Sequence, residues 1–321
     1  MFNYKNAPYI ELKNYSAPKG IKSIYVPMND NKKIRLAYWR YSSKIHPCRG
    51  TILLQQGHNE FIEKYYETIQ ELVDRNFNVI SFDWRGQGMS DRMINNMNKQ
   101  YIEDFSIHTE DIDFIIKNII KENFQEPLIG IGHSMGGHIL LSSQELFKNK
   151  FKGVILSAPM LGFKNEKLLF LLAGITNFFN NREKYFPGSR PNMGKEAPFE
   201  KNDLTSDFDR YTRTQKLVRK HPNLRLWGVT NSWVKAAKEN LLRIRKDGWA
   251  ENIETRILIL NPLKDKVVDS NKTIAMAKKL PNCDIINIEN AEHEILMEKD
   301  KYRKIFWDSF DDFLDSLTNE F

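Results

Sequence analysis

The chain has 321 residues, 41% hydrophobic and 28% charged, which suits one large folded core and excludes a disordered or fibrous protein. Its formal charge of +7 and sequence pI near 9.1 favour contact with anionic surfaces, but the lysines and arginines are spread along the chain and no nucleic-acid-binding motif accompanies them. Mean hydropathy is -0.54, Met1-Phe2-Asn3-Tyr4-Lys5 opens without an apolar run, and the 2 cysteines, Cys48 and Cys283, have neither metal-ligand spacing nor a partner framework, so the expectation is a cytoplasmic protein touching the inner membrane face, with no metal and no cofactor.

In chain order, Ile24-Tyr25-Val26 and Ile34-Arg35-Leu36-Ala37-Tyr38 flank the turn signal Met28-Asn29-Asp30-Asn31 and predict a hairpin. Thr51-Ile52-Leu53-Leu54 predicts a buried strand. The polar loop after it, Gln55-Gln56-Gly57-His58-Asn59-Glu60, is the place for an early oxyanion donor, through the backbone N–H of His58, whose imidazole is expected to line a pocket. A helix is predicted over 63–75, with Tyr66, Ile69, Leu72 and Val73 on one stripe, then a strand over 78–82. Gly86-Gln87-Gly88 lacks the third glycine of a phosphate-binding fingerprint and reads as a tight turn. Ile112, Ile115, Ile116 and Ile119 mark a helix over 103–124.

The apolar run Pro127-Leu128-Ile129-Gly130-Ile131 then leads into Gly132-His133-Ser134-Met135-Gly136 and a helix-like stretch. A serine at the tip of a sharp strand-to-helix turn occupies a strained backbone region, and small residues two positions away on either side leave it room. Ser134 is therefore the candidate nucleophile. At the helix N-terminus the free N–H groups favour an oxyanion, and Met135 would supply one of them. His133 and His138 are expected to pack or cap locally.

A further strand is predicted over 153–156, after which the alternation stops. From 159 to 233 the sequence is aromatic, basic and Asn-rich, with Pro187, Pro191, Pro198 and Pro222, and reads as a cap inserted into a core of 1–158 and 234–321. Within it the apolar run Leu168 to Ile175, continued by Phe178-Phe179, falls short of the roughly 20 residues that span a bilayer. A lid helix facing a greasy substrate would look like this, and packing within the cap explains the same residues as well.

The buried-strand pattern Arg256-Ile257-Leu258-Ile259-Leu260 feeds the loop Asn261-Pro262-Leu263-Lys264-Asp265-Lys266, which makes Asp265 the candidate acid. Asp269 competes, but it immediately precedes a helical pattern through Ala275 and Ala277 and suits an N-cap. Of the 7 histidines only His221 and His293 lie well downstream of Ser134. His293 follows the run Asp284-Ile285-Ile286-Asn287-Ile288 in a polar loop, where a general base belongs, whereas His221 precedes Pro222 with no strand before it and reads as a surface or lid residue. Strands alternating with helices predict an α/β fold, a mostly parallel sheet covered by helices.

Five segments together resemble the α/β-hydrolase superfamily, and within it the bacterial lysophospholipase and monoacylglycerol lipase branch grouped as serine aminopeptidase-like hydrolases. They are Gln56 to Glu60, Asp83-Trp84-Arg85-Gly86-Gln87-Gly88-Met89-Ser90, Gly132 to Gly137, Asp265-Lys266-Val267-Val268-Asp269 and Ala291-Glu292-His293-Glu294-Ile295-Leu296. The resemblance implies an α/β-hydrolase fold with a helical cap, Ser134 as nucleophile, Asp265 as acid, His293 as base, and the N–H groups of His58 and Met135 as oxyanion hole. It further implies hydrolysis of a single-chain lipid ester, a lysophospholipid or a monoacylglycerol, through an acyl-enzyme. The alternatives are a general carboxylesterase or acyltransferase of the same fold, and a non-catalytic scaffold that binds lipid or protein. Gln56 departs from the histidine that many relatives carry before the glycine.

Overall fold

The computed structural model describes residues 4–148, 150–178, 181–189 and 197–318; Met1-Phe2-Asn3, Phe179 and Pro191 lie outside the described residues. The strands are β1 (Lys5–Asn6), β2 (Lys22–Pro27), β3 (Lys33–Trp39), β4 (Gly50–Gln55), β5 (Phe77–Phe82), β6 (Lys99–Gln100), β7 (Leu128–His133), β8 (Gly153–Ser157), β9 (Gly228–Val229), β10 (Arg256–Pro262) and β11 (Cys283–Ile288). The helices are α1 (Tyr66–Asp74), α2 (Ser106–Ile115), α3 (Lys121–Asn123), α4 (Met135–Ser142), α5 (Glu166–Phe178), α6 (Phe208–Lys220), α7 (Asn231–Ile244), α8 (Ser270–Ala277) and α9 (Asp300–Thr318).

Nine strands form one sheet in the order β1-β2-β3-β5-β4-β7-β8-β10-β11. The β2–β3 pair is the expected hairpin, with Asn31 of its turn in the left-handed region at φ 65°, and β3 joins β5 antiparallel. From β5 to β11 every pairing is parallel, because each strand returns through a helix that crosses the sheet. The central strands β4, β5, β7 and β8 are buried along their whole length, which is why they read as continuous apolar runs.

Side chains alternate between the two faces. Ile52, Leu54, Ile131, Ile155 and Leu260 pack beneath α1 and α9, through Ile69, Leu72, Phe306 and Phe310. Leu53, Ile80, Val154, Leu156 and Ile259 turn to the other side and meet Ile112 of α2, Ile139 of α4, Leu241 of α7 and Met276 of α8. The helix expected over 103–124 is divided: α2 passes through a π-helical turn at Ile116–Ile120 into α3, with Ile115, Ile116, Ile119 and Ile120 all buried.

Ser134 and the loops after β4, β10 and β11 all stand at the carboxyl ends of the parallel strands. The segment between β8 and β10 reaches each of them. Lys164 Nζ donates to the Asp265 carbonyl at 2.6 Å, the Glu294 N–H donates to the Leu204 carbonyl at 2.8 Å, and the Asn59 side chain pairs with the Leu226 backbone at 2.6 and 3.2 Å. Helix α6 is tied to the core by Arg210 and Arg213, each 2.6 Å from Glu67 of α1.

Candidate active site

Ser134 joins β7 to α4 with φ 49° and ψ -115°, outside the regions an L-residue ordinarily adopts. Two glycines make that turn possible. A Cβ on Gly132 would stand 2.7 Å from the Gly137 backbone, and one on Gly136 would stand 2.5 Å from the Gln56 carbonyl oxygen. The turn is locked by its own backbone: the Ser134 N–H donates to the Ser157 carbonyl at 3.0 Å, and the Ser134 carbonyl accepts from His138 and Met160 at 2.9 and 3.0 Å.

The three residues singled out by their loops after β7, β10 and β11 converge. His293 Nε2 lies 3.0 Å from Ser134 Oγ, and His293 Nδ1 lies 2.6 Å from Asp265 Oδ2. Ser134, Asp265 and His293 are 7%, 2% and 3% exposed, so the contacts act in a poorly solvated setting where hydrogen bonds to charge are strong. The other Asp265 oxygen accepts the Val267 and Val268 N–H groups at 2.7 and 3.0 Å. Burial alone would raise the Asp265 pKa, but the His293 hydrogen bond and charge with those two amides outweigh it and hold the carboxyl below its ordinary value. An imidazole so placed can take the hydroxyl proton while the carboxylate fixes its tautomer and steadies the imidazolium.

Asp269 stands apart and caps α8, accepting the Asn271 N–H at 3.0 Å. His221 ends α6, half-buried. His138 is fully buried in α4, and burial pushes its pKa down to about 3. His133 sits closer to the chemistry than the sequence suggests: its ring lies 4.8 Å from that of His293, and its Nδ1 lies 3.1 Å from the Ser157 carbonyl oxygen.

The loop carrying His58 presses on the serine, since a Cβ on Gly57 would stand 3.2 Å from Ser134 Cβ, and Met135 opens α4 directly after the serine. The His58 imidazole lies 5.1 Å from the Trp233 ring at a tilt of 54°, and burial drives its pKa down to about 4, so it is neutral at neutral pH. Gln87 belts the loop from behind, donating to the Gly57 and Glu60 carbonyls at 2.9 and 3.3 Å and accepting the Asn59 N–H at 3.1 Å. The Gly86-Gln87-Gly88 turn is thus a structural device, as read, and Gly88 (φ 54°) closes over the Asp83 carboxylate, where any Cβ would overlap.

Sequence reasoning gave no role to the buried charges beneath this loop. Lys64 Nζ lies 2.6 Å from Glu60 Oε1 and 2.6 Å from Glu294 Oε1, and Arg35 bridges Glu63 and Asp83 at 2.5 and 2.7 Å. Their signal was available only as charges set in apolar strands and turns. Glu60, His133 and Glu294 bring three possible metal-ligating atoms within 4.8 Å of one another, and the Lys64 ammonium already serves both carboxylates there.

A family model described as Hydrolase_4, "Serine aminopeptidase, S33", matches residues 46–300. The chain is 28% identical over 289 residues to the "Probable lysophospholipase L2" of Haemophilus influenzae, covering 89% of this chain and 90% of that protein. It is 26% identical over 296 residues to the "Lysophospholipase L2" of Escherichia coli, covering 87% and 84%. Among solved structures, a soluble variant of monoglyceride lipase from Saccharomyces cerevisiae in complex with a substrate analog aligns with a TM-score of 0.73 at 17% identity, over 97% of this chain and 100% of that one. At that identity the likeness shows the fold, an α/β-hydrolase fold.

Proposed function

The chain belongs to the serine aminopeptidase S33 family of α/β-hydrolases, and from that premise we propose that it hydrolyses the carboxylic ester of a single-chain lipid, a lysophospholipid or a monoacylglycerol. The observation that carries the reading is the chain of contacts from Asp265 through His293 to Ser134, at 2.6 and 3.0 Å, on a strained turn at a helix N-terminus. Ser134 Oγ attacks the ester carbonyl as His293 Nε2 takes its proton. The oxyanion forms against the N–H groups of His58 and Met135, His293 returns the proton to the leaving alcohol, and water then attacks the acyl-enzyme by the same route. Asp265 keeps the imidazole in its working tautomer throughout.

The lipid part of the proposal is supported by the names of the relatives and by α5. Residues 159–233 act as a cap, and on α5 Leu168, Leu171 and Ile175 are 58%, 61% and 48% exposed at spacings of three and four, one stripe of a helix. Lys164 and Lys167 stand at its start, so a basic edge beside an apolar stripe suits peripheral contact with an anionic lipid surface. No helix among the described residues is long and apolar enough to cross a membrane.

The test is fatty-acid release from lysophospholipids, monoacylglycerols and short nitrophenyl esters by wild type and Ser134→Ala. Release from one lipid class by wild type alone is the expected result. Activity on short esters only would favour a general carboxylesterase, and release from none of them would overturn the proposal.

A further inference from the structure

Lys64 lies behind the site rather than in it, in the turn Ile62–Tyr65 that opens α1. Its ammonium contacts two carboxylates, Glu60 four positions before it and Glu294 230 positions after it, each at 2.6 Å. Glu60 belongs to the loop that bears His58. Its second oxygen accepts the Gly57 N–H at 2.5 Å and the Tyr65 O–H at 2.7 Å, so that carboxylate sets the shape of the loop. Glu294 is the neighbour of His293. One buried cation therefore ties the loop of the proposed oxyanion donor to the segment of the proposed base.

The arrangement is costly as a mere fold element. Lys64, Glu60 and Glu294 are all buried, and removing three charges from water consumes much of what their attraction returns. Apolar side chains of similar volume would stabilise the same position at least as well, but they would not fix two polar loops relative to each other. That fixing matters because the loops have no slack. A Cβ on Gly57 would stand 3.2 Å from Ser134 Cβ, so nothing larger than glycine fits there without displacement, and the His293 ring is wedged between Asp265, Ser134 and the His133 ring. The three-ligand cluster of Glu60, His133 and Glu294 has the form of a cation site whose cation is supplied by the chain itself.

We infer that Lys64 is a positioning residue for acyl transfer: its ammonium, shared between Glu60 and Glu294, sets the distance between the oxyanion loop and the general base. This inference rests on the ester-hydrolase reading above. It concerns geometry in the transition state and not substrate binding, so its mark is a fall in kcat with KM little changed.

The experiment compares the full-length wild type with Lys64→Met, Lys64→Arg and Glu294→Leu on a soluble nitrophenyl ester, with thermal melting and fluorophosphonate labelling rates measured alongside. Lys64→Met is expected to lose kcat by about 30- to 100-fold with KM within about twofold, and to label more slowly by a similar factor. Lys64→Arg, which can still bridge both carboxylates, should recover most of the rate. If Lys64→Met leaves two unpaired carboxylates that prevent folding, Glu294→Leu decides: it keeps the Lys64–Glu60 pair, cuts only the tie to the base, and is expected to lower kcat by about tenfold with KM unchanged. A folded Lys64→Met or Glu294→Leu with wild-type kcat, or one that loses only thermal stability, would overturn the inference. A wild type that neither hydrolyses the ester nor labels would instead refute the ester-hydrolase reading, and this inference would fall with it.

Discussion

The carbonyl oxygen of Gln56 lies 2.5 Å from the point where a Cβ on Gly136 would stand, and the carbonyl of Gln55 lies 2.7 Å from it. The loop after β4 and the first turn of α4 are thus in backbone contact, and the proposed oxyanion donors of those two segments are held together by the missing methyl group. Gly136→Ala must push the loop away from Ser134. We predict that it retains its fold by circular dichroism and loses kcat/KM on short esters by roughly 10²-fold, the scale of a small displacement at a reacting centre. Unchanged kinetics would show that the close approach is dispensable.

Asp265 and Asp269 lie four positions apart, yet one carboxylate meets His293 and the other caps α8. Asp265→Asn should leave the protein folded and lower kcat by about 10⁴-fold, because the imidazole then loses its tautomer control. Asp269→Ala should keep kcat within about twofold and cost about 1 kcal/mol of stability, the usual effect of a lost cap. Paired kinetics and urea melts on the two variants check both statements, and equal kinetic losses would contradict the division of roles.

Glu67 of α1 meets Arg210 and Arg213 of α6 at 2.6 Å and also faces Arg303 of α9. Burial would raise its pKa, but the hydrogen bond from Arg210 and the charges of Arg303 and Arg213 outweigh that and bring it down to about 2 from 4.5. A carboxyl with a depressed folded-state pKa stabilises the fold above its unfolded value and loses that contribution as pH falls through the folded value. Wild type should therefore exceed Glu67→Gln in stability by on the order of 1–3 kcal/mol above about pH 5, with the gap closing toward pH 2. Denaturant melts at a series of pH values measure it, and a gap independent of pH would exclude the ion pairs as its source.

On the proposed reading the exposed stripe of α5 contacts lipid rather than packing within the cap. Replacing Leu168 and Leu171 together by Asp should lower kcat/KM on substrate presented in anionic vesicles by about tenfold or more, while turnover of a soluble nitrophenyl ester stays within about twofold. Cosedimentation with phosphatidylglycerol vesicles should weaken in parallel. Equal loss on both substrates would mean that the leucines serve the fold of the cap.

The parallel strands and the three site loops were legible in the sequence for one reason: each strand is a short, largely apolar run, and each proposed catalytic residue follows its strand within a few positions. Ser134 was marked by glycines whose space its turn needs, and Asp265 by its place in a loop rather than before a helix. The Lys64 bridge was not legible, since nothing local relates Lys64 to Glu294 across 230 positions. The same holds for the buried set of Arg35, Glu63 and Asp83, whose charges pair only once β3, the turn Ile62–Tyr65 and the end of β5 meet. The nearness of His133 to His293 was hidden too, because local pattern assigns a residue to an element and not to the neighbour that a distant loop brings.

The central claim is that Ser134 is an activated nucleophile, and it is tested most directly by intact-mass measurement after exposure to a fluorophosphonate at neutral pH. We predict one adduct on the wild type, none on Ser134→Ala, and labelling slowed by several orders of magnitude in His293→Ala, whose serine has no base. An unlabelled wild type, or an adduct that persists in Ser134→Ala, would contradict the account.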